Sequence, residues 1–143
     1  MGSMTLNDRV HINGRGGTKL KTSTSGRIRI DARTFLNSGV QIYSAAEVRI
    51  GPFSRIGDGC IIIDSNFHAV HEGQSAASRP INIGRNVWLG RGVIVLPGVT
   101  IGDHSVVAAG SVVFNDIPAK QVWRGNPARF WKNVRASDEF RRC

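Results

Sequence analysis

Within DSNFHAVHEGQSAASRP, Asp64 to Pro80, two histidines stand three residues apart, His68 and His71, with Asp64 and Asn66 just ahead of them. Imidazole can take or give a proton near neutral pH and is also a common metal ligand, so the stretch could serve proton transfer or metal binding. A positioned base that takes a hydroxyl proton as the oxygen attacks contributes roughly 10²–10⁴-fold in rate. Asp64 and Asn66 could orient a ring or hold an acceptor hydroxyl, but Asp and Asn are equally favoured wherever a chain leaves regular structure. No Cys or Ser stands with a partnered base at motif spacing, so nothing points to a covalent enzyme intermediate.

The residues around this stretch keep a rhythm that it breaks. Steps of six from Ile83 reach Leu89, Val95, Ile101, Val107 and Val113, and steps of six from Val87 reach Val93, Val99, Ser105, Ser111 and Ile117. Before the gap the unit recurs on Ile50, Ile56 and Ile62, and a weaker copy runs through Ile30, Leu36 and Ile42. Six is an even spacing, so these residues share one face of an extended chain, whereas a period of 3.6 would scatter them round a helix. Each unit is one short strand and one corner, and three units close a triangular turn of eighteen residues. The reading is an all-β solenoid of about four coils over residues 30–118, interrupted by a loop at 67–80. Alternation sends Trp88 outward, between inward Val87 and Leu89, and an exposed indole on a flat strand usually has something covering it. Asn126 and Pro127 read as a helix cap and first-turn proline, with Phe130, Trp131 and Val134 at helical spacing, which predicts a C-terminal helix over 126–142 lying across the open end.

Composition sets outer bounds. The 143 residues make one domain, 1–143, and the opening MGSM reads as a cloning remnant outside the fold. No apolar run is long enough to span a membrane and no leader is evident, which predicts a cytoplasmic protein. Cys60 falls in the repeat as a small buried hydrophobe and Cys143 is the last residue, a spacing that suggests neither disulfides nor a zinc knuckle. The net charge of +9 divides into +5 over residues 1–60, −1 over 61–118 and +5 over 119–143. A basic end could attract an anionic ligand, but no nucleic-acid motif is present, so no nucleic-acid partner is expected.

The run IGRNVWLGRGVIVLPGVTIGDHSVVAAGSVVFNDIPAKQVWRGNPARF resembles the hexapeptide-repeat acyltransferases, and most of all the branch containing galactoside and maltose O-acetyltransferases. The similarity covers Ile50 to about Val134. It implies a left-handed parallel β-helix, a homotrimer with sites between subunits, acetyl-CoA as co-substrate without a metal, and a small sugar-like acceptor. By the same resemblance His68, in NFHAVH, takes the place of the family's general base; Asp64 and Asn66, close before it, are read on the acceptor side from their position, and His71 as a loop-packing or acceptor-contacting residue. Trp88, Gly90, Arg91 and Ala109 would lie along the coenzyme, and Arg124 and Arg129 would meet its phosphates. Relatives carry a hydroxyl residue and a lysine where Phe114 and Asn115 stand here, which removes one expected positive contact. Three other readings remain open: an N-acetyltransferase on an amino sugar is the nearest variant, and a zinc lyase using His68, His71 and His104 and a non-catalytic assembly module are the more distant ones.

Overall fold

A computed structural model describes residues 1–142, and Cys143 lies outside the described residues. The chain winds through three parallel sheets in strict rotation. The first coil contains β1 (Ser3–Leu6), β2 (His11–Ile12) and β3 (Lys19–Thr22), and the second contains β4 (Arg27–Ile30), β5 (Phe35–Leu36) and β6 (Gln41–Ser44). The third contains β7 (Glu47–Ile50), β8 (Arg55–Ile56) and β9 (Ile61–Ile63). After the loop come β10 (Ile81–Ile83), β11 (Trp88–Leu89) and β12 (Ile94–Val95), then β13 (Thr100–Ile101), β14 (Val106–Val107) and β15 (Val112–Val113). One face stacks β1-β4-β7-β10-β13, a second β2-β5-β8-β11-β14 and a third β3-β6-β9-β12-β15. The expected solenoid is present, with five coils rather than four.

The inward row is the hexad row. Ile30, Ile50, Ile83 and Ile101 line the first face from within, Leu36, Ile56, Leu89 and Val107 the second, and Ile42, Ile62, Val95 and Val113 the third, none more than 2% exposed. Each such side chain contributes about 1.5–3 kcal/mol on leaving water, set against the entropy of ordering its strand. Glycines beside the aliphatics serve stacking: a Cβ on Gly90 would come within 2.6 Å of the Ala109 backbone nitrogen in the next coil. The corner between the first and second faces works differently. Arg9, Arg33, Phe53, Asn86, His104 and Lys120 occupy it in successive coils, all with φ between 52° and 62°. The backbone N–H of each of the last five donates to a carbonyl one coil earlier, from Asp8, Ala32, Pro52, Arg85 and Asp103 at 2.8–3.0 Å. The left-handed conformation costs about 1–2 kcal/mol per residue outside glycine, and this hydrogen-bonded ladder offsets it.

Two expectations are corrected here. MGSM is not outside the fold, because Ser3 and Met4 pair with Arg27 and Ile28 in the first sheet. β1 is exposed along its whole length, Met4 and Leu6 included, so it adds ladder hydrogen bonds without adding core. The helix over 126–142 is absent, and no helix occurs among the described residues. Instead β16 (Gln121–Gly125) pairs in parallel with β14, and β17 (Ala128–Asn133) returns antiparallel to it. The free edge of β14 needs partners for its backbone groups, and a strand supplies them where a helix laid across the end would not. The solenoid therefore runs from Ser3 past the expected limits of 30 and 118.

Candidate active site

The loop leaves the solenoid after β9 and re-enters at β10. Its neck is pinched by a bridge between Ser65 and Ser78, by Asn66 N–H donating to Ala77 O at 3.0 Å, and by Arg79 N–H donating to Asp64 O at 2.8 Å. Asp64 anchors it. Fully buried, its carboxylate accepts hydrogen bonds from Ser44 Oγ at 2.8 Å and from the backbone N–H groups of Ala45 and Ala46 at 2.7 and 2.9 Å. This corrects the expectation that Asp64 faces an acceptor, since both of its oxygens are committed to the preceding coil. Beyond the neck Asn66, His68 and His71 are all exposed. Phe67, at φ 61°, packs its ring 4.6 Å from that of Tyr43, so the loop leans over the third face.

Trp88 points elsewhere. Val87 and Leu89 are fully buried while Trp88 is 47% exposed on the second face, in register with Arg55 before it and Val106 after it. It opens onto a groove of about 910 Å³. The wall opposite is a segment no motif announced, residues 138–142. Asn86 Nδ2 donates to Phe140 O at 2.9 Å, Arg142 N–H donates to Asn86 Oδ1 at 2.9 Å, and the Arg142 guanidinium donates to the carbonyls of Asn86 and His104. Phe140, Arg141 and Arg142 thereby reach the groove, together with His11, Phe35 and Arg55 from the earlier coils. His68 does not line it. On a single chain the loop histidine and the exposed tryptophan stand on different faces.

The proposed coenzyme positions divide. Arg91 is held by Asp58 at 2.9 Å, and Gly90 is fixed by stacking against Ala109. Ala109, Arg124 and Arg129 are exposed, and the two arginines sit directly opposite each other in the β16–β17 ladder. The Arg124 guanidinium lies 4.1 Å from the centre of the Trp131 ring and Arg129 Nη1 donates to Ala128 O at 3.1 Å, and both keep N–H groups that could meet phosphate oxygens. Phe114 and Asn115 are also exposed and add no positive charge.

The remaining titratable groups are structural. Burial pushes the Cys60 thiol up to about 11, and its sulfur donates to Gly90 O at 3.1 Å, as expected of a buried hydrophobe. His104 is 3% exposed and its Nδ1 lies 2.9 Å from Asn86 Nδ2. The Asn86 amide is oriented by its bonds to Phe140 and Arg142, so it offers His104 a donor, and His104 Nδ1 must accept. That ring cannot join His68 and His71 round a metal, and among the described residues no group of three or more His, Cys, Asp or Glu side chains is placed to hold one. Burial lowers the His104 pKa below 6.5, so folding favours the neutral ring. Its contribution to stability is complete above pH 6.5 and is lost as pH falls below that value towards the lowered one. Thermal unfolding should therefore occur at lower temperature at pH 5.5 than at pH 7.5, and His104→Gln should shrink that difference.

Residues 80–115 match a family described as bacterial transferase hexapeptide (six repeats). The galactoside O-acetyltransferase of Escherichia coli K12 is 36% identical over 121 residues, 82% of this chain and 59% of that protein. Among solved structures, a hexapeptide-repeat acetyltransferase of Vibrio cholerae complexed with acetyl-CoA superposes with a TM-score of 0.73 at 28% identity, over 90% of this chain and 73% of that one. The polysialic acid O-acetyltransferase OatWY gives a TM-score of 0.79 at 26% identity, over 96% and 68%. The chain spans about a third to three fifths of the length of the curated relatives it matches, 34% of one Staphylococcus aureus protein and 59% of the E. coli enzyme.

Proposed function

The chain belongs to the hexapeptide-repeat acyltransferases, and from that premise we propose that it transfers an acetyl group from acetyl-CoA to a hydroxyl of a sugar-like molecule, with His68 as general base. The observation that carries this reading is the half-exposed Trp88, which opens onto a broad groove on one face while an exposed histidine loop hangs from another. In a triangular prism the loop side of one copy can meet the groove side of the next, so a homotrimer would complete the site three times. The acceptor oxygen attacks the thioester carbonyl, His68 takes its proton, and the departing thiolate is protonated in turn. Trp88 excludes water from the reacting carbonyl, and the Arg124–Arg129 pair holds phosphate. His11 also lines the groove, but it stands three rungs from Trp88, about 14 Å at the strand spacing of a sheet, and is too distant to serve the same carbonyl. The buried free thiol of Cys60 suits a cytoplasmic setting.

The test is release of free thiol from acetyl-CoA against a panel of sugars and amino sugars. Release that depends on a hydroxyl acceptor is expected. A clear preference for the amine would make the enzyme an N-acetyltransferase. Absence of both acetyl-CoA binding and thiol release would leave a non-catalytic assembly module.

A further inference from the structure

The second face of the solenoid carries an outward row that the coenzyme reading does not use. His11, Phe35, Arg55 and Trp88 occupy successive rungs of β2, β5, β8 and β11, paired in register. The coenzyme is assigned to Trp88 and the coils after it, so the part of the groove before Trp88 is left for whatever receives the acyl group. That stretch is longer than a single sugar ring. At its far end the rings of His11 and Phe35 lie 4.8 Å apart at 8°, stacked face to face so that only the outer faces of the pair stay open. Arg55 lies between this stack and Trp88.

The charge is one-sided. Arg9, Arg33, Arg55, Arg141 and Arg142 line the groove and no Asp or Glu does. Arg9 meets Asp8 at 3.5 Å on the open surface, and the other four form no ion pair among the described residues. At the adjoining corner Arg33, Arg85 and Arg141 crowd the ring of Phe53, at 5.8, 5.1 and 4.8 Å. The ring face partly compensates these cations, but no carboxylate among the described residues accompanies them, and Arg85 Nε is buried without a hydrogen-bond partner.

We propose that this part of the groove selects a carboxylate-bearing oligosaccharide as the acyl acceptor. Guanidinium forks match carboxylates, and the one outer face of the His11–Phe35 stack is enough for the C–H face of a single sugar ring. A single-stranded nucleic acid would need separate ring faces for successive bases, and here the two rings cover each other. The proposal rests on the acetyltransferase reading for the direction of the groove, but its test is binding.

Calorimetric titration of the full chain with trigalacturonate, with maltotriose and with a short oligothymidylate measures it directly, with and without coenzyme A. Trigalacturonate should bind at least about tenfold more tightly than maltotriose, and Arg33→Gln or Arg55→Gln should each weaken it by about tenfold, the worth of one charge-assisted contact. Arg33 makes no side-chain hydrogen bond among the described residues, so its variant should melt like the wild type and keep the test clear of misfolding. Equal binding of maltotriose, indifference to both substitutions, equal or tighter binding of oligothymidylate, or competitive displacement by coenzyme A would each overturn the proposal. Selective binding of trigalacturonate with no thiol release from acetyl-CoA would instead overturn the catalytic reading and leave the acid-selective groove standing.

Discussion

Replacing His68 with alanine should lower acetyl transfer by roughly 10²–10⁴-fold, the range a positioned general base supplies, and leave the melting temperature where it is. The two halves of that result have separate causes. His68 is exposed and its ring makes no hydrogen bond among the described residues, so deletion leaves no cavity and no orphaned polar group. The acceptor hydroxyl, by contrast, would have to attack with its proton still in place. Binding of acetyl-CoA should change little, which puts the loss in kcat. His71→Ala, on the same exposed loop, should keep most of the rate. If the two variants exchange behaviours, the base is His71, and if both retain full turnover, the loop supplies no base.

The largest effect on stability is expected at the loop's root. Asp64→Ala removes the acceptor for the buried Ser44 Oγ–H and for the half-buried N–H groups of Ala45 and Ala46. An unsatisfied buried donor costs about 1–3 kcal/mol, so even partial hydration leaves a loss of roughly 3–5 kcal/mol, a large share of the 5–15 kcal/mol that usually holds a domain together. Chemical denaturation of wild type and variant measures it. Asp64→Asn should recover part of the loss, since one oxygen still accepts while the amide meets donors. An unchanged denaturation midpoint with a raised KM for the acceptor would return Asp64 to the role its position in the loop first suggested.

The core of this molecule is readable from the sequence because every inward position repeats at an even interval and tolerates only branched aliphatics or small residues. Ile30 through Val113 fall where that rule puts them. The first coil escapes it because its turn is longer: His11 pairs with Phe35, twenty-four residues on, and its inward Ile12 and Leu20 are only partly buried. The terminal hairpin misleads because Asn–Pro serves a tight turn as well as a helix start, and Phe130 and Trp131 give no period that separates the two. His68 is legible as a residue, but the partnership with Trp88 proposed for it is not, since it would depend on a neighbouring copy. The row from His11 to Trp88 was hidden for another reason. Thirty-three residues separate Arg55 from Trp88, so only the pairing register shows that they are adjacent.

The exposure of β1 has a consequence for how the molecule breathes. In a stack where each layer touches only its neighbours, opening is a local affair, and it starts where the layers bury least. Here that is the layer carrying Arg9 and His11. Amide protons there should exchange with solvent well before those around Leu89. An acidic glycan seated on those side chains would then act as a clamp, slowing exchange at the softest end of the rod while the already rigid middle registers almost nothing.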